Sequence, residues 1–211
     1  MNNSTATLGV VLAGGEGRRM GGDDKGLVPL HGRPPVERVL AVLAPQCDEV
    51  LVVANRNQDR YARYARVIGD ESPGNPGPLA GIAAALALVV EGAPADFDGC
   101  KWLLTVPVDC PDPPPDLRVR LLEGLLAAQP SPCVYAIDPH SLQPLFALYS
   151  LAYKDELLAS ARVAVKLHAS PLRWHLELGA AAVDFSDRVE AFHNLNTPQD
   201  FLEYESGHEG G

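Results

Sequence analysis

The segment from Val10 to Leu30, VVLAGGEGRRMGGDDKGLVPL, combines the residue types that bind a polyphosphate. A glycine-rich turn, GGEG over Gly14–Gly17, follows a hydrophobic run, and such a turn lets backbone N–H groups surround an anion closely. Arg18, Arg19 and Lys25 add positive charge, and arginine can form two parallel hydrogen bonds to phosphate oxygens. The pattern predicts a phosphate-binding loop, although long cations are also common as solvated surface charge.

Two widespread glycine-rich motifs do not fit this loop. A Walker-type loop needs a serine or threonine directly after its lysine to bind magnesium, but Lys25 is followed by Gly26. The dinucleotide fingerprint G-x-G-x-x-G would place Met20 where its third glycine belongs, and a charged loop would follow instead of a helix. The sequence therefore predicts neither of these two nucleotide-binding folds.

Polar residues also follow the predicted strands, at the points where those strands end. Asn55 follows the predicted strand Glu49–Ala54, Asp70 follows the predicted strand Val67–Ile68, and Asp109 follows the apolar run Lys101–Val106. Ligands of open parallel sheets bind where the carboxyl ends of the strands converge, so we expect these side chains around one cleft. Asp109 is the candidate magnesium ligand, because Mg²⁺ commonly uses one or two carboxylates together with phosphate oxygens and water.

Each polar residue also has a simpler structural explanation. Asp109 and Asp70 are both typical of turns, and Asn55 could cap a helix over Gln58–Arg63. The acidic pair Asp23–Asp24 is expected to lie in the loop without touching phosphate, because carboxylates would repel it.

Hydrophobic patterning predicts alternating strands and helices. The predicted strands are Thr7–Leu12, Glu49–Ala54, Val67–Ile68, Lys101–Val106, Cys133–Ile137, Leu145–Tyr149 and Ala181–Phe185. The predicted helices are Pro34–Leu43, Tyr61–Ala65, Leu79–Val90, Leu117–Ala128, Tyr153–Ala161 and one that begins at Thr197–Pro198. This alternation is typical of an α/β fold, a three-layer αβα sandwich with a Rossmann-like, mostly parallel sheet. We expect a single domain over 1–211 and a disordered tail over Ser206–Gly211.

Composition narrows the possible partners and compartments. A net charge of −10 over 211 residues argues against non-specific binding to nucleic acid or to an anionic membrane. The apolar stretch Gly81–Val90 is too short to span a bilayer, and the N-terminus lacks the pattern of a secretory signal. The four cysteines show neither a C-x-x-C pair nor a histidine at metal-ligand spacing. A reduced, cytoplasmic protein is therefore expected.

Motifs in a fixed order along nearly the whole chain carry a family resemblance. They are LAGG, RRMGG and DKG in the loop, Ala54–Arg56, Asp70, Pro76–Gly81, Pro107–Pro111, Gln143–Leu145, Asp184–Asp187 and Asn194–Pro198. This set resembles the MobA family, the molybdenum cofactor guanylyltransferases. The resemblance implies a nucleotidyltransferase-type fold and Mg²⁺-dependent transfer of GMP from GTP to the phosphate of molybdopterin, with release of pyrophosphate.

The resemblance also implies which residues form the site. The catalytic set is Arg19, Lys25 and Asp109, with Asp109 as the metal ligand. The GTP-binding set, mostly in the N-terminal half, is Leu12, Ala13, Gly14, Gly15, Lys25, Asn55, Asp70, Pro78, Leu79, Gly81 and Asp109. The molybdopterin-binding set, in the C-terminal half, is Gln143, Pro144, Asn194 and Asn196.

One segment departs from the family pattern. Many members carry a basic Gly-Glu-Arg-like turn where this chain has Leu167–Ser170. Either Arg162, Lys166 or Arg173 takes the place of that turn, or the pterin is held differently.

Three alternative functions stay open. A cytidylyltransferase acting on the same pterin would carry an LAAG-type loop, and Gly14 in place of that alanine favours guanine. Sugar-1-phosphate nucleotidyltransferases are usually longer chains, and a nucleotide-binding module without turnover would not need Arg19, Lys25 and Asp109 together. Expected partners are GTP, molybdopterin, and molybdenum-inserting and acceptor molybdoenzyme proteins, with the chain a monomer or weak oligomer.

Overall fold

The computed structural model describes residues 6–14, 23–70, 77–92, 97 and 99–207. Within these residues a seven-stranded sheet has the order β3-β2-β1-β4-β6-β5-β7. The strands are β1 (Thr7–Leu12), β2 (Glu49–Val53), β3 (Arg66–Ile68), β4 (Trp102–Pro107), β5 (Cys133–Ile137), β6 (Leu142–Ser150) and β7 (Ala181–Asp184). Only β6 pairs antiparallel with its neighbours β4 and β5, whereas the other four pairings are parallel. The predicted mostly parallel sheet is confirmed.

Helices cover both faces of this sheet. They are α1 (Pro35–Leu43), α2 (Gln58–Tyr61), α3 (Pro78–Glu91), α4 (Leu117–Ala127), α5 (Lys154–Lys166), α6 (Pro171–Glu177) and α7 (Pro198–Gly207). Helices α3, α5 and α6 share one hydrophobic cluster with the sheet, and α1 and α4 share the cluster on its opposite side. The three-layer αβα sandwich is thus confirmed. None of the described helices has the length and apolar character that crossing a membrane requires.

Burial on both faces explains why the central strand β1 is almost entirely apolar and does not alternate between polar and apolar residues. All six of its residues are buried, with Val10 in the cluster under α3 and Val11 in the cluster under α1. Successive side chains of a strand point to opposite faces, so a strand covered on both faces needs apolar residues on both faces. Because β2 and β4 both pair in parallel with β1, which lies between them, the carboxyl ends of the three strands lie at the same edge of the sheet. This edge is where ligands of such sheets bind.

Two predicted boundaries were wrong. The predicted helix Tyr61–Ala65 is instead α2, which begins at Gln58 and ends at Tyr61. Ser206 and Gly207 belong to α7, so the predicted disordered tail is wrong for these two residues, and residues 208–211 lie outside the described part.

Helix α6, which we did not predict, carries a buried histidine. His175 is 0% exposed, its Nε2 lies 2.8 Å from the hydroxyl of Tyr149, and its ring stacks on Tyr135. Burial lowers the pKa of His175 from 6.5 to about 4, because a charged imidazolium would lose its hydration there.

The stability of the fold should depend on pH through this residue. Above pH 6.5 His175 is neutral in both states, whereas between pH 6.5 and about 4 only the unfolded chain binds its proton. Stability should therefore fall as the pH drops through this window, by up to about 3 kcal/mol. Urea unfolding at pH 7.0 and 4.5 measures the loss, and His175→Phe should remove that component. Parallel losses in both proteins would contradict this origin.

Candidate active site

Lys25, Asp109 and Asn196 meet at the carboxyl edge of the sheet. Lys25 opens a short 3-10 turn, Lys25–Leu27, and Asp109 lies two residues beyond the end of β4. The Nζ of Lys25 lies 3.2 Å from Asp109 Oδ2 and 2.6 Å from Asn196 Oδ1. The Lys25 and Asp109 side chains are only 20% and 23% exposed, so their attraction is less screened than that of a surface pair. We call these three residues the Lys25 centre.

The contacts of Asp109 show whether its carboxylate merely stabilises a turn. The carboxylate contacts Lys25, while the backbone carbonyl of Asp109 accepts a hydrogen bond of 2.8 Å from Leu195 N. Within the described residues its second oxygen, Oδ1, has no hydrogen-bond partner. The side chain is therefore directed to the cavity and is available to a ligand.

A cavity of about 210 Å³ opens between the end of β1 and the Lys25 centre. Six residues of the predicted sets line it: Leu12, Ala13, Gly14, Lys25, Pro78 and Asp109. Leu79 and Gly81 do not line it, because both lie beneath it in α3, where a Cβ added to Gly81 would come within 3.1 Å of the Leu12 side chain. Gly15, Arg18 and Arg19 fall outside the described residues.

Asn55 and Asp70 form a second polar group, just beyond the ends of β2 and β3. Asn55 Nδ2 donates to Asp70 Oδ2 at 2.6 Å, and the Asp70 amide donates to Asn55 Oδ1 at 2.9 Å. The residue at the N-cap of α2 is Asn57, so the alternative that Asn55 caps this helix was wrong. The structure confirms the expected proximity of the two residues, while a role in nucleotide binding stays a prediction.

The residues predicted for the pterin are divided by the structure. Asn196 belongs to the Lys25 centre, whereas Asn194 Oδ1 accepts a hydrogen bond of 3.0 Å from the buried thiol of Cys110, the residue after Asp109. Gln143 is 8% exposed and donates from Nε2 to Asp138 and Ser141, which ties together the turn between β5 and β6.

The basic residues considered for the pterin lie elsewhere. Arg162 forms two hydrogen bonds to Glu91, at 2.6 and 2.9 Å, and Arg173 pairs with Glu177 at 2.9 Å. Lys166 is exposed in a groove of about 890 Å³ between α3 and α5. None of the three lines the cavity at the Lys25 centre.

Asp24 has a contact pattern that sequence reasoning missed. Its Oδ1 accepts hydrogen bonds from the hydroxyl of Tyr61 at 2.6 Å and from the Gly26 amide at 3.3 Å, and its Oδ2 accepts from Asn57 Nδ2 at 2.9 Å. It thereby caps the turn that carries Lys25. Aspartate before a helical turn is a recognisable cap signal, but no local pattern connects position 24 to Tyr61.

The donor set at the cavity suits a hard divalent cation that arrives with its substrate. Among the described residues no group of three or more His, Cys, Asp or Glu side chains could hold a metal ion. Among the described residues, one carboxylate oxygen of Asp109 has no hydrogen-bond partner, and magnesium usually takes one or two carboxylates and completes its shell with phosphate oxygens and water. The arrangement can therefore bind a phosphorylated ligand together with Mg²⁺.

Comparison with known proteins gives matches over most of the chain. The family model described as MobA-like NTP transferase domain matches residues 9–174. A molybdenum cofactor guanylyltransferase from Vibrio cholerae is 41% identical over 203 residues, which cover 96% of this chain and 93% of that protein. One of the same name from Photobacterium profundum is 35% identical over 207 residues, which cover 97% and 98%.

Solved structures agree with these sequence matches. Molybdopterin-guanine dinucleotide biosynthesis protein A from Archaeoglobus fulgidus superposes with a TM-score of 0.68 at 27% identity, covering 94% of this chain and 97% of that one. A 4-diphosphocytidyl-2C-methyl-D-erythritol synthase from Anaerococcus prevotii gives a TM-score of 0.66 at 12% identity, covering 96% of each chain, and supports the fold alone.

Proposed function

The chain belongs to the MobA-like NTP transferase family, and we propose that it transfers GMP from GTP to the phosphate of molybdopterin. The products are molybdopterin guanine dinucleotide and pyrophosphate. The observation that carries this proposal is the Lys25 centre: an ammonium, a carboxylate and an amide meet at the edge of a cavity of about 210 Å³. Relatives named molybdenum cofactor guanylyltransferase match it over nearly their full length.

The main barrier to the reaction is the repulsion between its anionic substrates, and the Lys25 centre can lower this repulsion. An oxygen of the molybdopterin phosphate forms a bond to the α-phosphorus of GTP, and the bond from that phosphorus to the β-bridging oxygen breaks. The electron pair leaves with pyrophosphate. Because the nucleophile is already an anion, no general base is required, and the barrier lies in bringing anions together in line. Lys25 would offset this repulsion from a partly buried position, where its charge acts more strongly than in water.

We propose Mg²⁺ as the cofactor, with Asp109 as its protein ligand. The open Oδ1 of Asp109 lies beside the ammonium that would contact the same phosphates. When bound, the ion would neutralise negative charge on the reacting phosphates. Lys25 contacts the other oxygen of the carboxylate, and this contact would orient Asp109 for binding the ion.

The nucleotide would lie over the end of β1. Leu12, Ala13, Gly14 and Pro78 line the cavity there, and a Cβ added to Gly14 would meet no atom of the described residues within 4 Å. Packing therefore does not require glycine at position 14, which is consistent with a ligand approaching the backbone there. Guanine is the proposed base, with Gly15 and Arg19 on the triphosphate and the Asn55–Asp70 pair at the nucleoside.

The second substrate would approach from the C-terminal half. The contact between Asn196 and Lys25 supports this, because the two substrates would react at Lys25. Asn194 is proposed for the same site. Gln143 and Pro144 stay predictions for the outer part of that site. The same holds for molybdenum-inserting and acceptor proteins as partners, a cytoplasmic setting, and a monomeric or weakly oligomeric state.

Release of pyrophosphate tests the proposed function directly. Protein with Mg²⁺, GTP and molybdopterin should release pyrophosphate and form the guanine dinucleotide, whereas omission of molybdopterin should abolish release. CTP in place of GTP is the matched control, and we expect at least about tenfold lower kcat/KM with it. Equal use of CTP and GTP would refute guanine selectivity. Turnover of sugar 1-phosphates instead of the pterin would favour the rival sugar-nucleotide function.

A further inference from the structure

Asp24 is one of the residues that line the cavity assigned to a triphosphate, together with Lys25 and Gly26. A negative charge so close to this cavity should repel the ligand. A carboxylate kept at such a place needs a function that offsets this repulsion. Its contacts identify that function.

Three neutral donors hold the Asp24 carboxylate. Tyr61 and Asn57 bind it from α2 and the residue before that helix, and the Gly26 amide binds it from the turn. Tyr61 is fully buried, and burial together with the hydrogen bond to Asp24 raises the pKa of its phenol far above the ordinary value. The hydroxyl therefore stays protonated and donates at every working pH. Both carboxylate oxygens are engaged in this way, and this favours a structural role for Asp24 over a role as a metal ligand.

The turn that Asp24 caps has little freedom to move. Gly26 is buried between Tyr61 and Val108, and a Cβ added to it would lie 2.4 Å from the Tyr61 hydroxyl and 2.8 Å from a Val108 methyl. The hydrogen bonds on one side and this contact on the other fix the backbone at Lys25. From there the Lys25 side chain reaches Asp109, one residue beyond Val108.

We propose that Asp24 is a positioning residue that fixes the turn presenting the Lys25 ammonium to Asp109 and Asn196. Its charge is held by Tyr61 and Asn57, while its hydrogen bond to Gly26 orients the turn. The proposal rests on the proposed guanylyl transfer for its kinetic consequence, but its structural consequence is independent of the substrate.

Asp24→Asn tests the proposal with little change in shape. The amide of the new residue would face the Asn57 amide, so the set of hydrogen bonds around position 24, which we call the clamp, should weaken. We expect kcat to fall about 10- to 100-fold, because small misplacements of a reacting group cost that much. The KM for GTP should change less than about threefold, and half-saturation by Mg²⁺ should stay the same. Asp23→Asn, which removes a neighbouring exposed carboxylate, should leave all three quantities unchanged.

Two kinetic outcomes would overturn the proposal. A lower KM for GTP with unchanged kcat would show that Asp24 only repels the ligand. Activity restored by about tenfold more Mg²⁺ would show that it is a metal ligand.

Tyr61→Phe provides a second variant that removes one donor and leaves the carboxylate. It should lower kcat in the same direction, and its effect should be non-additive with Asp24→Asn, since both act through one clamp. Additive effects would contradict the proposal. If Asp24→Asn does not fold, Tyr61→Phe alone carries the test, and an unchanged kcat in that variant would contradict the proposal.

Crystal structures of the wild-type and Asp24→Asn proteins separate this proposal from the proposed function. The variant should lengthen the separation of Lys25 Nζ from Asp109 Oδ2, which is 3.2 Å here. If the wild-type protein does not use GTP and molybdopterin, the proposed function fails while this distance still tests Asp24. An unchanged distance would overturn the positioning role.

Discussion

Asp109→Asn is expected to lower GMP transfer by about 10³-fold while leaving the fold intact, since charge stabilisation at a reacting phosphate is worth several kcal/mol. The substitution keeps the shape of the side chain and an oxygen that can accept the hydrogen bond from Lys25. It removes the negative charge of the carboxylate, which we propose binds the metal ion. Pyrophosphate release measured across a Mg²⁺ titration should therefore stay low even at high Mg²⁺.

The exposed Glu49 is the matched control for this loss of charge. It lies at the amino end of β2, at the opposite edge of the sheet from the cavity, so Glu49→Gln should keep full activity. Thermal unfolding of both variants shows whether the fold is retained. Near wild-type turnover by a folded Asp109→Asn protein would refute the metal-binding role of Asp109.

Lys25→Ala should lower kcat/KM for GTP by about 10²- to 10³-fold, the range found when one preorganised charged donor is removed from a reacting centre. Three effects combine in this variant. The triphosphate loses a cation, Asp109 loses the partner that orients its carboxylate, and Asn196 loses its contact at 2.6 Å. Steady-state kinetics with GTP and with molybdopterin varied in turn should show both substrates affected.

Lys101→Ala is the control for the loss of a lysine. Lys101 is exposed and directly precedes β4, at the amino edge of the sheet, so its removal changes net charge without touching the cavity. An equal loss of activity in both variants would indicate that overall charge, and not the position of Lys25, draws in the substrates.

The layer architecture could be predicted from the sequence because its determinants are local. A strand buried on both faces is expected to be almost entirely apolar, and β1 and β4 are so, with one buried threonine each, Thr7 and Thr105. The convergence of Asn55 and Asp70 followed from the same argument, since parallel strands end at one edge. Helix α6 was missed although Ser170 and Pro171 carry a start signal, because seven residues with a fully buried histidine show no amphipathic pattern.

The fine geometry of the centre could not be predicted in this way. The contact between Lys25 and the Asn196 side-chain oxygen depends on the packing of α7 and of the segment before it. Both are distant in sequence from Lys25. Asp200 in α7 accepts hydrogen bonds from the Asn196 and Thr197 amides at 2.6 and 2.8 Å, and this sets the position of Asn196. The contact between Lys25 and Asn196, by contrast, joins side chains that are distant in sequence, and such a contact leaves no periodic trace.

The contact between Lys25 and Asn196 joins residues 171 positions apart. Closing so long a loop has an entropic cost that only the finished core can offset. A partly assembled chain could hold the cavity wall from β1 yet lack the amide that completes the centre. Enzymatic turnover would therefore work as a reporter of global folding during refolding experiments, and it should recover in step with the slowest phase seen by other probes.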